Sequence, residues 1–102
     1  MQKLTNWDIY EINTSESTIH GVMLRGRIRK FCLEAGRNVL AENASDVEGA
    51  VRFAVPHDEE VSSIEEYLHS VLPDAAITLV RESVPNPVLS KLKVNIEDRY
   101  TL

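Results

Sequence analysis

Two stretches of this chain repeat apolar residues at helical spacing, and each lies between segments that read as strands. In the first, Leu24, Ile28, Phe31, Cys32 and Ala35 fall at i, i+4, i+7, i+8 and i+11, the signature of one buried helical face. Gly36 stands where such a helix ends. In the second, Val61, Ile64, Leu68, Val71 and Leu72 make the stripe, and Pro73 stops it. Ser62 with Glu65, or Ser63 with Glu66, has the spacing of a capping box at its start. A helix with one apolar face must lay that face on something, and the flanking segments supply a sheet.

Trp7 to Ile12 is aromatic and β-branched, which suits a first strand. Val39 to Ala41 reads as a short second strand, and Asn43 to Gly49 as a turn of small and polar residues. Val51, Phe53 and Val55 then alternate with Arg52 and Ala54, the pattern of a half-buried third strand. Ala75 to Arg81 is a fourth. Val84-Pro85-Asn86-Pro87 is expected to be a loop, because prolines cannot donate to a ladder. Leu92, Val94 and Ile96 alternate with Lys91, Lys93, Asn95 and Glu97, giving a final strand. The order β-α-β-β-α-β, plus one further strand, predicts an α+β fold. It is the ferredoxin-like split βαβ sandwich, an antiparallel sheet with two helices on one face.

With no repeat, linker or low-complexity tract, residues 1–102 read as a single domain. At 43% apolar content the chain can bury one modest core without a disulfide or a metal. Its one cysteine, Cys32, lies on the first helical stripe and reads as core. His20, His57 and His69 have no metal-ligand spacing, and His57 and His69 read as surface or loop residues. No metal or cofactor is therefore expected. Apolar runs are too short for a membrane helix, and Met1 to Asp8 lacks the apolar stretch of a signal peptide, so a cytoplasmic location is expected.

The net charge of -5 argues against nucleic acid or a membrane as partner. The strands also lack the aromatic pairs on which bases stack. Yet the charge is uneven. Arg25, Arg27, Arg29, Lys30 and Arg37 sit together, opposed only by Glu34, whereas Asp58, Glu59, Glu60, Glu65 and Glu66 form an acidic stretch. Each stretch reads as a solvated helix face, unless the basic one opens onto a bound anion.

The segment that favours an anion is Ile19-His20-Gly21-Val22-Met23-Leu24-Arg25, between the first strand and the first helix. A helix amino terminus presents unpaired N–H groups and a positive dipole end to phosphate. Gly21 lets the backbone curl its N–H groups into a nest, and Arg25 adds a planar, permanently charged fork. A helix of about 14 residues travels roughly 20 Å from this loop. A strand of about seven residues returns a similar distance. A right-handed crossover makes that strand parallel to the first, so its end near Asn43 comes back to the edge that holds Arg25.

Here the sequence resembles the acylphosphatase family. That family carries a Gly-x-Val-Gln-Gly-Val-x-Phe-Arg loop, a helix, and a strand ending Gly-Trp-Val-x-Asn. Gly21-Val22-Met23-Leu24-Arg25 is similar to the second half of the loop, and Asn43 lies 18 positions beyond Arg25, as the family's asparagine does. The likeness runs over roughly residues 7 to 98, with Ser17, His20, Leu24, Val39 and Leu40 departing from the family pattern. The resemblance implies hydrolysis of acyl phosphates to a carboxylate and inorganic phosphate. Arg25 and the N–H groups of His20, Gly21, Val22, Met23 and Leu24 would hold the phosphate, and Asn43 would orient the attacking water. The implied partner is a small acyl phosphate or inorganic phosphate, bound by a monomer without cofactor. Two other readings stand beside it. One is a silent module of the same fold that binds an anion or a protein. The other is an unrelated ferredoxin-like regulatory domain, since fold alone does not assign activity.

Overall fold

The computed structural model describes residues 5–13, 24–47 and 50–94. Its elements are β1 (Asn6–Asn13), α1 (Leu24–Glu34), β2 (Leu40–Asn43), β3 (Val51–Pro56), α2 (Ser62–Val71) and β4 (Ala76–Pro85). Two short strands follow, β5 (Pro87–Val88) and β6 (Lys93–Val94). The main sheet is antiparallel throughout, in the order β2-β3-β1-β4. Since β1 and β2 both oppose the strand between them, they run parallel to one another. This is the ferredoxin-like arrangement that the order of stripes and strands predicts.

Both helices lie on one face. Leu24, Ile28 and Cys32 of α1 and Ile64 and Leu68 of α2 share a single buried cluster with Ile12, Val51, Phe53 and Val55 of the sheet. A fully buried side chain of this size contributes about 1.5–3 kcal/mol through removal of apolar area from water. The helices also meet directly, Phe31 stacking on Tyr67 with ring centroids 4.7 Å apart. At the end of α1, Gly36 adopts φ 69°. Its N–H reaches the Leu33 carbonyl at 3.1 Å, and the Arg37 N–H reaches Cys32 at 2.8 Å. That pair of bonds is a Schellman stop, and it needs a residue that tolerates the left-handed region.

Four local expectations are corrected. The α2 capping boxes do not form: Val61 is the N-cap, without a side-chain bond, and Glu65 and Glu66 do not reach back. Instead the Glu60 carboxylate accepts from the Ser62 hydroxyl at 2.6 Å, the Ser63 N–H at 3.3 Å and the Ser63 hydroxyl at 3.1 Å. A carboxylate just ahead of the first turn meets the same free donors and the same end of the dipole.

The third strand is not half-buried, because all six residues of β3 are inaccessible. The chain after β4 explains it by folding over the sheet face opposite the helices. There Leu89 is packed with Trp7, Ile9, Ala54 and Val84. Arg52, read as an outward residue, ends up 1% exposed. Its Nε and Nη2 both meet Glu11 Oε1 at 2.9 Å, while Nη1 meets Asp46 Oδ1 at 2.6 Å and the Leu89 carbonyl at 2.8 Å. A buried guanidinium is tolerable only when its donors are satisfied in this way.

The two prolines do not mark a loop. Pro85 ends β4 opposite Asn6, and Pro87 opens β5. β4 is an outer strand, where a missing N–H on the free side disrupts no ladder. The turn between them is made by Asn86 at φ 45°. Finally, Lys93 and Val94 pair with β5 as a separate two-stranded ribbon and do not join the main sheet. Ile96 and Glu97 lie outside the described residues. No helix among the described residues is long and apolar enough to cross a membrane.

Candidate functional site

The start of α1 is fixed from below. Leu24 is 2% exposed and anchors the first turn in the helix-side core, so its contribution to an anion can come only from its backbone N–H. Arg25, the next residue, is exposed and makes no hydrogen bond or ion pair with any other described residue. The first turn of α1 carries no acidic side chain of its own. Arg27, Arg29 and Lys30 are exposed on the same helix.

Asn43 is the last residue of β2, not part of the turn after it, and stands opposite Val51. Val51 in turn stands opposite Ile12, so the carboxyl ends of β1 and β2 lie side by side with one residue of β3 between them. Ala41 is buried in the helix-side core, and strand alternation puts Asn43, two residues on, on that same half-buried face.

One contact sets helix and strand against each other. The Arg29 guanidinium donates to the Ala41 carbonyl. Arg25 lies one helical turn back toward the β1–α1 connection, about 6 Å along the axis. Asn43 lies two residues along β2 in the same direction, about 7 Å. From this contact Arg25 therefore lies toward the start of α1, and Asn43 at the end of β2. His20, Gly21, Val22 and Met23, expected to complete an anion cradle, lie outside the described residues.

A second constellation sits near the other end of β1. Asp8 is 5% exposed, on the helix side of the sheet beside Val55. Its Oδ1 accepts from His57 Nδ1 at 2.8 Å and from the Ser83 N–H at 2.9 Å, and its Oδ2 accepts from the Asp58 N–H at 3.2 Å. Burial pushes the Asp8 carboxyl up, but these hydrogen bonds outweigh it and hold the group below its ordinary value. The Asp8 hydrogen bond, helped by the charges of Asp58 and Glu82, raises His57 above the usual imidazole value.

The fold makes this cluster by distortion. The β1–β4 register shifts between Trp7 and Ile9, and Ser83 takes φ 56°, which turns its N–H onto Asp8. Sequence reasoning set His57 aside as a loop residue. Its partners lie 49 positions before it and 25 after it, and no local motif links them. His69 is exposed, with its Nε2 2.9 Å from the Ala75 carbonyl.

No protein-family model, curated protein or solved structure matches this chain.

Proposed function

We propose that this chain is an acylphosphatase-like hydrolase that cleaves small acyl phosphates to a carboxylate and inorganic phosphate. What supports the reading is that Arg25 lies in the first turn of α1 and Asn43 ends β2, two elements joined by the Arg29–Ala41 hydrogen bond. An exposed guanidinium in an acid-free first helical turn suits a phosphate dianion, and a carboxamide one strand-end away suits a water beside it.

The chemistry asks little else of the site. Water adds to phosphorus and the bond from phosphorus to the acyl oxygen breaks, with the electron pair leaving on the carboxylate. A carboxylate leaves without a proton from the protein, so positioning and charge stabilisation carry the rate. Arg25 spans two phosphoryl oxygens as charge spreads over them. The Asn43 carboxamide oxygen accepts from the water and aims its lone pair at phosphorus.

The test is hydrolysis of benzoyl phosphate by the wild-type chain, Arg25→Ala and Asn43→Ala, with phosphate binding measured on all three. Loss of one such group lowers kcat by roughly a hundredfold or more. Wild-type turnover no faster than buffer, with phosphate still bound, would leave a silent anion-binding module. Equal turnover in all three proteins would remove the assignment.

A further inference from the structure

We infer that Asp8, His57 and Glu82 form a binding site for a divalent transition-metal ion of the zinc class, separate from the Arg25–Asn43 end. One donor atom from each of the three residues lies within 4.8 Å of the other two, so a single ion can reach all of them. They come from three places in the fold: the start of β1, the residue after β3, and the irregular stretch of β4 beside Ser83.

Local charge points the same way. The carboxylates of Asp8, Asp58 and Glu82 surround one imidazole, with the Asp58 carboxylate 3.3 Å from His57 Nε2. Among the described residues none of the three carboxylates has a lysine or arginine within ion-pair distance. Elsewhere the molecule does supply them, as Arg52 does for Glu11 and Asp46, and Arg37 for Glu59 and Glu60. Among the described residues, then, the three carboxylates have only the His57 imidazole to offset them, and even a protonated ring leaves an excess of negative charge for a divalent ion.

The donor set selects the ion. Calcium and magnesium prefer all-oxygen shells, whereas an imidazole beside two carboxylates suits zinc and its neighbours. The site is also built in depth and open at the top. The Asp58 N–H fixes the second oxygen of the buried Asp8 carboxylate, the kind of outer contact that orients a ligand. His57 is 34% exposed at its side chain and Glu82 is exposed, which gives an ion a way in and leaves coordination positions for water. Asp8 lies four residues from Ile12, about 13 Å along β1. The metal site therefore stands or falls independently of phosphate binding.

The experiment uses the full chain after chelation. Zinc is titrated calorimetrically, and manganese is used as a paramagnetic probe of the histidine ring resonances. One saturable zinc equivalent is expected, with manganese broadening His57 and leaving His69 sharp. His57→Gln and Glu82→Gln, both with accessible side chains, should weaken zinc by roughly tenfold or more, while His69→Gln should not. The wild-type manganese measurement decides the matter even if a variant fails to fold. Absence of saturable zinc binding, or broadening centred on His20 or His69, would overturn the assignment.

Discussion

Arg29 in the second turn of α1 donates a hydrogen bond to the main-chain carbonyl of Ala41 in β2. β2 is an outer strand of the sheet, and this bond ties the helix to it at a fixed height. Everything inferred about the anion end depends on that height. Arg25 is one turn before Arg29 and Asn43 is two residues after Ala41, so in the proposed site a shift of the helix along the strand displaces Arg25 from Asn43. Arg29→Met keeps much of the aliphatic stem and removes the donor. A bond with a charged donor contributes about 1.5–3 kcal/mol after exchange with water, and the exposure of Arg29 puts this one at the lower end. A drop of that size in unfolding free energy is expected by urea titration, with a larger fractional loss of acyl phosphate turnover. An unchanged rate would show that the bond does not set the site.

Arg52 joins β1 to two parts of the chain that the helix-side core does not include. It binds β1 through Glu11, the turn after β2 through Asp46, and the carboxyl-terminal ribbon through Leu89. Arg52→Ala leaves Glu11 half-buried without its partner and exposes the interior to a cavity. Breaking a buried pair from one side costs about 3–5 kcal/mol. Denaturant unfolding should show that loss. Glu11→Gln, which keeps an acceptor for Nε, should cost clearly less.

The contrast between these two arginines explains what the sequence could and could not reveal. Both stripes, the Gly36 stop and the burial of Cys32 were legible because each is a local pattern, set by 3.6 residues per turn and by one backbone angle. The parallel return of β2 to the α1 start followed from chain connectivity. Arg52 was misread because strand alternation reports which face a residue occupies, not whether that face is covered. Leu89 and its neighbours, more than thirty residues away, provide the cover. Pro85 was misread for a similar reason, since only the strand order shows that β4 is an edge. The Asp8–His57–Glu82 cluster depends on a register shift and a left-handed serine, which no local sequence pattern encodes.

Glu60 gives a pH signature at the start of α2. Hydrogen bonds from the Ser62 hydroxyl, the Ser63 N–H and the Ser63 hydroxyl, with the charge of Arg37 beside it, hold its carboxyl down at about 2. Because the folded value lies below the ordinary one, the stabilisation is present above about pH 4.5 and is lost as pH falls toward 2. The wild-type chain should therefore melt above Glu60→Gln at pH 6, and the two curves should converge through that acidic window. The gap is small and shrinks in salt, as expected for an exposed group. A gap that persists undiminished at pH 2 would mean that the carboxylate charge is not what stabilises the helix start.

In the proposed site a phosphate anion docks where α1 begins and β2 ends. Inorganic phosphate titrated into uniformly ¹⁵N-labelled protein tests it most directly. Saturable shifts are expected at the amides of Gly21 to Arg25 and at the Asn43 side chain, lost in Arg25→Ala, with the Asp8, His57 and Ser83 signals unmoved. Shifts that miss both Arg25 and Asn43, or a titration that moves nothing, would contradict it.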